Sequence, residues 1–247
     1  MKVAWIAGAV AVLVVAVAVC ITQRWKATRL LSEAYSKIDP SREKKEGLLR
    51  EKTVAAAADF IARNKLPFDP AISTNRIARL ETFLFTDGRP GGMSNLRLTD
   101  NCWFDCRWDG KALEVHAFND SNVNTYYDLS GAPKEKIEAI KTLNLRNKLN
   151  EHTALELART YFRLQGHKEE NFWPVEFTQC YWIDQTERKP EERVLPFYRA
   201  EWFRKDIRKE DRESGVAALP HVNIELSGIT SNLVLYEKLF IPIARDF

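Results

Sequence analysis

The hydrophobic positions of this chain change period along its length. Residues Val3 to Thr22 are apolar without interruption, the thiol of Cys20 being the only ionisable side chain among them. As a helix rising about 1.5 Å per residue, that run spans roughly 30 Å, the thickness of a bilayer's hydrocarbon core. Lys2 precedes it, and Arg24, Trp25, Lys26 and Arg29 follow as interfacial flanks. The pattern predicts a single membrane-spanning helix, with residues 1–26 as anchor or signal segment. Ala16-Val17-Ala18 suits cleavage and Val17-Ala18-Val19-Cys20 suits lipidation, but the apolar run outlasts the first and Val19 is bulky for the second. A retained anchor is therefore favoured. The basic flank argues for a cytoplasmic body and the two-residue head for an exported one; export is the reading taken here, giving a single-pass protein with an extracytoplasmic body.

Beyond the apolar run the period becomes helical and then alternating. Leu30, Leu31, Ala34, Tyr35 and Ile38 form one helical stripe that Asp39-Pro40 ends, so residues 27–47 read as a stalk helix and linker. A first helix is expected over Glu51 to Arg63. A second carries Ala154, Leu155, Ala158, Tyr161 and Phe162 on one face, with Asn150 as N-cap and Gly166 as its stop. Val175, Phe177, Gln179, Tyr181 and Ile183 alternate, as do Leu195 to Phe203 and Val222 to Leu226, and Leu233 to Phe240 supplies a final strand. Pro133 to Thr142 reads as a short polar-faced helix anchored by Ile137 and Ile140.

Several of these patterns recur in order. Thr53-Val-Ala-Ala-Ala-Ala matches Thr153-Ala-Leu-Glu-Leu-Ala, and Leu80 to Asp87 matches Phe177 to Asp184. Phe104 to Trp108 matches Tyr198 to Trp202, Leu113-x-Val115-x-Ala117 matches Val222-x-Ile224-x-Leu226, and Tyr127 follows the first set as Tyr236 follows the second. The order predicts an α+β chain with two tandem helix-on-antiparallel-sheet domains, residues 48–132 and 150–247, joined by a linker helix within 133–149. An Ala-rich helix, an aromatic-x-x-x-Trp strand and an apolar alternation leading into a Gly turn resemble PepSY-like domains of cystatin-like form. Tyr198 to Trp202 and Val222 to Gly228 carry that resemblance. Phe104 to Trp108 carries a poorer version, and Asn119-Asp120-Ser121-Asn122 stands in place of the Ser227-Gly228 turn. The resemblance implies binding or inhibitory modules, exported or membrane-attached, rather than enzymes.

Composition narrows the function further. With 37 basic and 34 acidic residues, a net charge of +3 is too balanced for a nucleic-acid binder that relies on bulk charge. The four histidines, His116, His152, His167 and His221, show no metal-ligand spacing, and no nucleophile elbow or phosphate-cradling loop occurs, so no catalytic, cofactor or metal residues are assigned. Cys102 and Cys106 lie about 13 Å apart along an extended strand, beyond disulfide reach; with Cys180 they read as buried thiols, a disulfide being the alternative. The Gly-rich turn holding Asp87 and Arg89, and the charged insertion holding Arg204, Lys205, Arg208 and Lys209, are candidate partner-contact loops. The tryptophans at strand positions read as core rather than as sugar platforms. These observations predict a membrane-anchored, non-enzymatic binding or regulatory module of the cell envelope with a protein or peptide partner and no cofactor. A self-associating scaffold and a divergent thiol-dependent enzyme are the alternatives.

Overall fold

Pro40 opens a helix rather than closing one. In the computed structural model, helix α1 runs Pro40–Arg63, its first position taken by the residue whose missing N–H costs nothing there. The structure describes residues 40–85, 90–123, 125, 132–181, 194–207 and 219–239. The chain divides into two units, Met1–Leu48 and Leu49–Phe247. Of the first, the described residues 40–48 are helical, with Arg42 and Glu46 paired at 3.0 Å.

The second unit is built on one sheet. Strands β1 (Ile77–Leu84), β2 (Gly92–Leu98), β3 (Cys102–Trp108) and β4 (Leu113–Asp120) form an antiparallel meander, and so do β5 (Glu176–Tyr181), β6 (Val194–Phe203), β7 (His221–Ser227) and β8 (Leu233–Leu239). The last strands of the two meanders pair with each other, so the order is β1-β2-β3-β4-β8-β7-β6-β5. Following the register across gives one row: Leu80, Leu96, Phe104, Phe118, Tyr236, Ile224, Ala200 and Phe177. Every member belongs to, or packs against, one hydrophobic core.

Helix α1 and helix α3 (Glu151–Leu164) cover that face of the sheet. Ala57, Phe60 and Ile61 of α1, and Ala154, Ala158, Tyr161 and Phe162 of α3, recur at helical spacing and are buried. Phe60 meets Phe104, Phe118 and Tyr236 at 5.5–6.0 Å, while Phe162 stacks on Trp202 at 4.3 Å. Asn150 caps α3 by accepting from the Thr153 amide at 2.8 Å. Both helices end in the same reversal: Leu66 and Lys65 amides bond the Ile61 and Ala62 carbonyls, as His167 and Gly166 bond those of Phe162 and Arg163. The left-handed position is Lys65 (φ 49°) in the first and Gly166 (φ 79°) in the second. A short helix, α2 (Lys134–Asn144), lies on the sheet's other face, where Ile137 and Ile140 pack with Cys180, Leu195 and Phe197. On that face Arg199 donates two bonds to the buried Glu225 carboxylate, at 2.7 and 2.8 Å, and Thr125 donates a third at 2.7 Å.

Two expectations are corrected by this architecture. The fold is α+β, but the helix-on-sheet halves are not tandem domains with separate sheets: the β4–β8 pairing joins them in one eight-stranded antiparallel sheet with three α-helices among the described residues. The strand matches also slip. Phe104 to Trp108 lies on the third strand of its half, whereas Tyr198 to Trp202 lies on the second of its own. The match of Leu80 with Phe177 stays on the first strand of each half, whereas Phe104 occupies the place in its half that Ile224 occupies in the other.

The membrane reading is corrected as well. Among the described residues no helix is long and apolar enough to cross a membrane, because α1, α2 and α3 each carry a charged face. The expected span 3–22, the stalk stripe 30–38 and Cys20 lie outside the described residues. Among the described residues, therefore, the single-pass anchor, the membrane as partner, the signal-anchor topology and the extracytoplasmic envelope placement of the module have no counterpart.

Candidate functional site

The β4–β8 ladder is short. Among the described residues the register comprises Ala117–Glu237, Phe118–Tyr236 and Asn119–Leu235, and regular pairing stops at Ala117. His116 is the extra residue of a bulge opposite the Asp105–Cys106 step, the kind of irregularity that ends pairing and redirects side chains. Above this gap the carboxyl ends of α1 and α3 converge. Gln165 donates to Asn64 at 2.7 Å and Arg63 to the Leu164 carbonyl at 3.3 Å, each joining neighbours of the two helix ends. Between gap and helix ends lies a cleft of about 500 Å³, lined by Asp59 and Arg63 of α1, Glu114 of β4, His167 after α3, and Tyr236 and Lys238 of β8 among others.

Two ion pairs line the cleft. Lys238 Nζ lies 2.6 Å from Glu114 Oε2, with the lysine 16% exposed and the glutamate 57%. Arg63 lies 3.2 Å from Asp59, the arginine 40% exposed and the aspartate 69%. In both pairs the cation is the less exposed partner, and cations are also what helix carboxyl ends favour. At the base, His167 Nε2 and the Tyr236 hydroxyl are 3.0 Å apart. Burial first, and then the Lys238 charge, bring His167 down to about 4, so its ring is neutral at neutral pH. His116 falls to about 4 for the same two causes, opposed by Glu114 and by a bond to the Lys238 backbone. Burial raises the Tyr236 phenol, with Glu114 adding to the rise and Arg63 opposing it. The Lys238 bond holds the Glu114 carboxyl below its ordinary value.

His167 also borders a second cleft of about 520 Å³, beside Lys168, Asn171, Arg204 and Lys205. Two of the expected partner-contact residues thus meet at one concavity. Arg204 forks onto Asp206 at 3.0 and 2.7 Å, and the Lys205 amide donates to Asn171 O at 3.0 Å. Asp87, Arg89, Arg208 and Lys209 lie outside the described residues. Cys102, Cys106 and Cys180 are free and buried. Cys102 and Cys106 share the helix-covered face of β3, whereas Cys180 sits on the opposite face of β5, five strand spacings or roughly 24 Å away. Burial and then the Asp105 charge push the Cys106 thiol up to about 12; burial and Asp100 raise Cys102, and burial and Glu225 raise Cys180. Such thiols are not thiolates at neutral pH and are poor nucleophiles.

No group of three metal-ligating side chains occurs among the described residues. His152 is exposed in the first turn of α3, and His221 Nδ1 bonds the Leu219 carbonyl at 2.7 Å. Sequence reasoning passed over the cleft itself. Asp59, Arg63, Glu114, His167, Tyr236 and Lys238 are distant in sequence, and only the β4–β8 pairing assembles them. No family model, no curated protein and no solved structure matches the chain.

Proposed function

We propose that this chain is a non-catalytic binding protein, in keeping with the binding role that the PepSY-like resemblance implies, and that its ligand is a small zwitterion of the α-amino acid kind. The carrying observation is that both cations of the cleft are less exposed than the carboxylates they pair with: Lys238 less than Glu114, and Arg63 less than Asp59. A ligand entering carboxylate-first exchanges each ion pair for one of its own: its carboxylate meets Lys238 and Arg63, and its ammonium meets the more exposed Glu114 and Asp59. Neutral His167 and Tyr236 add hydrogen-bonding groups at the base without a charge that would favour one ligand sign. The volume suits a small ligand, within the usual range for such pockets.

Calorimetric titration of the full chain with the common α-amino acids tests the reading, alongside their amides, which lack the carboxylate, and their N-acetyl forms, which lack the ammonium. Saturable binding of the parent amino acid is expected, with at least a tenfold loss for either blocked form and for Lys238→Met. Equal binding of parent and blocked forms, or no binding across the set, overturns it.

A further inference from the structure

β1 is an outer strand of the sheet, with β2 on one side and, among the described residues, no strand on the other. Apolar surface lies on both faces beside this edge. On the helix-covered face an apolar groove of about 510 Å³ runs between α1 and β1, lined by Val54, Ala58, Ile72, Ile77 and Leu80 among others. On the opposite face Phe83 of β1 pairs with Met93 of β2, and both side chains are exposed. Open strand edges recruit further strands unless they are covered or guarded by charge.

The charges on this edge select the recruit. Arg79 and Glu81 stand two residues apart on one face, the arginine exposed and the glutamate half-buried, paired with each other at 2.6 Å. Arg79 also lies opposite Arg97 of β2, a like-charge neighbour that an added carboxylate would relieve. The segment Arg79-Leu80-Glu81 is its own complement when read antiparallel. About a two-fold axis at Leu80, each Arg79 faces the other copy's Glu81, and Leu80 faces Leu80. Antiparallel extension keeps the helix-covered faces on the same side. The two grooves therefore meet, and Val54, Ala58 and Ile72 of each copy close over the central leucines. We propose that β1 pairs with β1 of a second copy of this chain, making a two-fold symmetric dimer with a continuous sixteen-stranded sheet (about twice the eight of one copy).

Charge reversal gives a test that separates pairing from misfolding. Sedimentation equilibrium of the full chain is expected to show a dimer that weakens as salt is raised. In Arg79→Glu all four facing positions become acidic, and in Glu81→Arg all become basic, so each variant alone should dissociate at least tenfold more readily. Mixed one to one, the two should recover dimerisation, because every acidic position again faces a basic one. The double variant Arg79→Glu/Glu81→Arg should dimerise alone. A monomeric wild type, single variants that associate like wild type, or a mixture that fails to recover would each overturn the proposal. Association through the apolar run 3–22 would give the second of these outcomes, since it is indifferent to both reversals.

Discussion

Two histidines are held neutral by this fold, and that ties stability to pH. His116 and His167 are brought to about 4 by burial and the Lys238 charge, against an ordinary value of 6.5. Between those values the unfolded chain binds more protons than the folded one, so stability rises with pH across this window and is lost on acidification. Each histidine accounts for a change on the order of 2 kcal/mol over the window. The lowered Glu114 carboxyl adds to the loss in acid, whereas Asp105, raised by burial, acts in the opposite direction. His167 occupies the position after the helix reversal that Leu66 occupies in the other half. His167→Leu should therefore keep the fold at neutral pH while removing about half of the acid sensitivity. Urea unfolding at neutral pH and near pH ~4.5 reads this directly; an unchanged slope in the variant would show that His167 is not the titrating group.

At the scale of elements, the helix reversals and the strands were unequally legible. Asn150 and Gly166 bracketed α3 correctly because cap and stop chemistry is local. The start of α1 lies about a dozen residues before the place its apolar pattern predicts: Asp39-Pro40 suits a stop, and residues 41–50 are too charged to show an apolar stripe. β2 went unseen for another reason. Two of its inward positions are Gly92 and Ser94, whose small or polar side chains hide the alternation. With that strand missing, the repeat matches after β1 shifted by one strand, since any central strand offers a similar apolar-aromatic run. Gly91, just before β2, shows how tight this corner is: a Cβ there would stand 2.2 Å from the Trp108 carbonyl oxygen, at φ 125°. The reversals themselves make a paired prediction. Lys65 carries a side chain in a left-handed conformation, so Lys65→Gly should raise stability by about 1 kcal/mol. Gly166→Ala should lower it by about the same amount, because its Cβ would meet nothing within 4 Å and only backbone strain remains. Thermal denaturation of both variants checks the opposite signs; shifts in the same direction would refute the shared motif.

For the whole molecule, the decisive contact is the seam, and it was illegible in the sequence because long-range register leaves no local signature. Each half was recognisable as a helix and a meander, but nothing in Phe118 or Tyr236 announces that they face each other. Three residue pairs make a short ladder, so the strands alone bind the halves weakly. What joins them is the burial around those pairs: Phe118 and Tyr236 are each almost wholly buried, and Phe60 of the first half lies 5.5 and 5.6 Å from the two rings. The bonds between helix ends, Gln165 to Asn64 and Arg63 to Leu164, tie the same seam from above. A core shared in this way cannot be opened on one side without exposing the other, so the second unit should unfold as one. Phe118→Ala should then cost about 3–5 kcal/mol, as loss of a buried aromatic does. The whole cost should appear in a single transition. Tryptophan fluorescence, far-ultraviolet circular dichroism and amide exchange in β2 and β7 should report coincident midpoints in the parent and in the variant. Two separated midpoints in the parent would mean that the halves are independent domains laid edge to edge. Separation in the variant alone would mean that Phe118 is what couples them, and that the helix-end bonds contribute little.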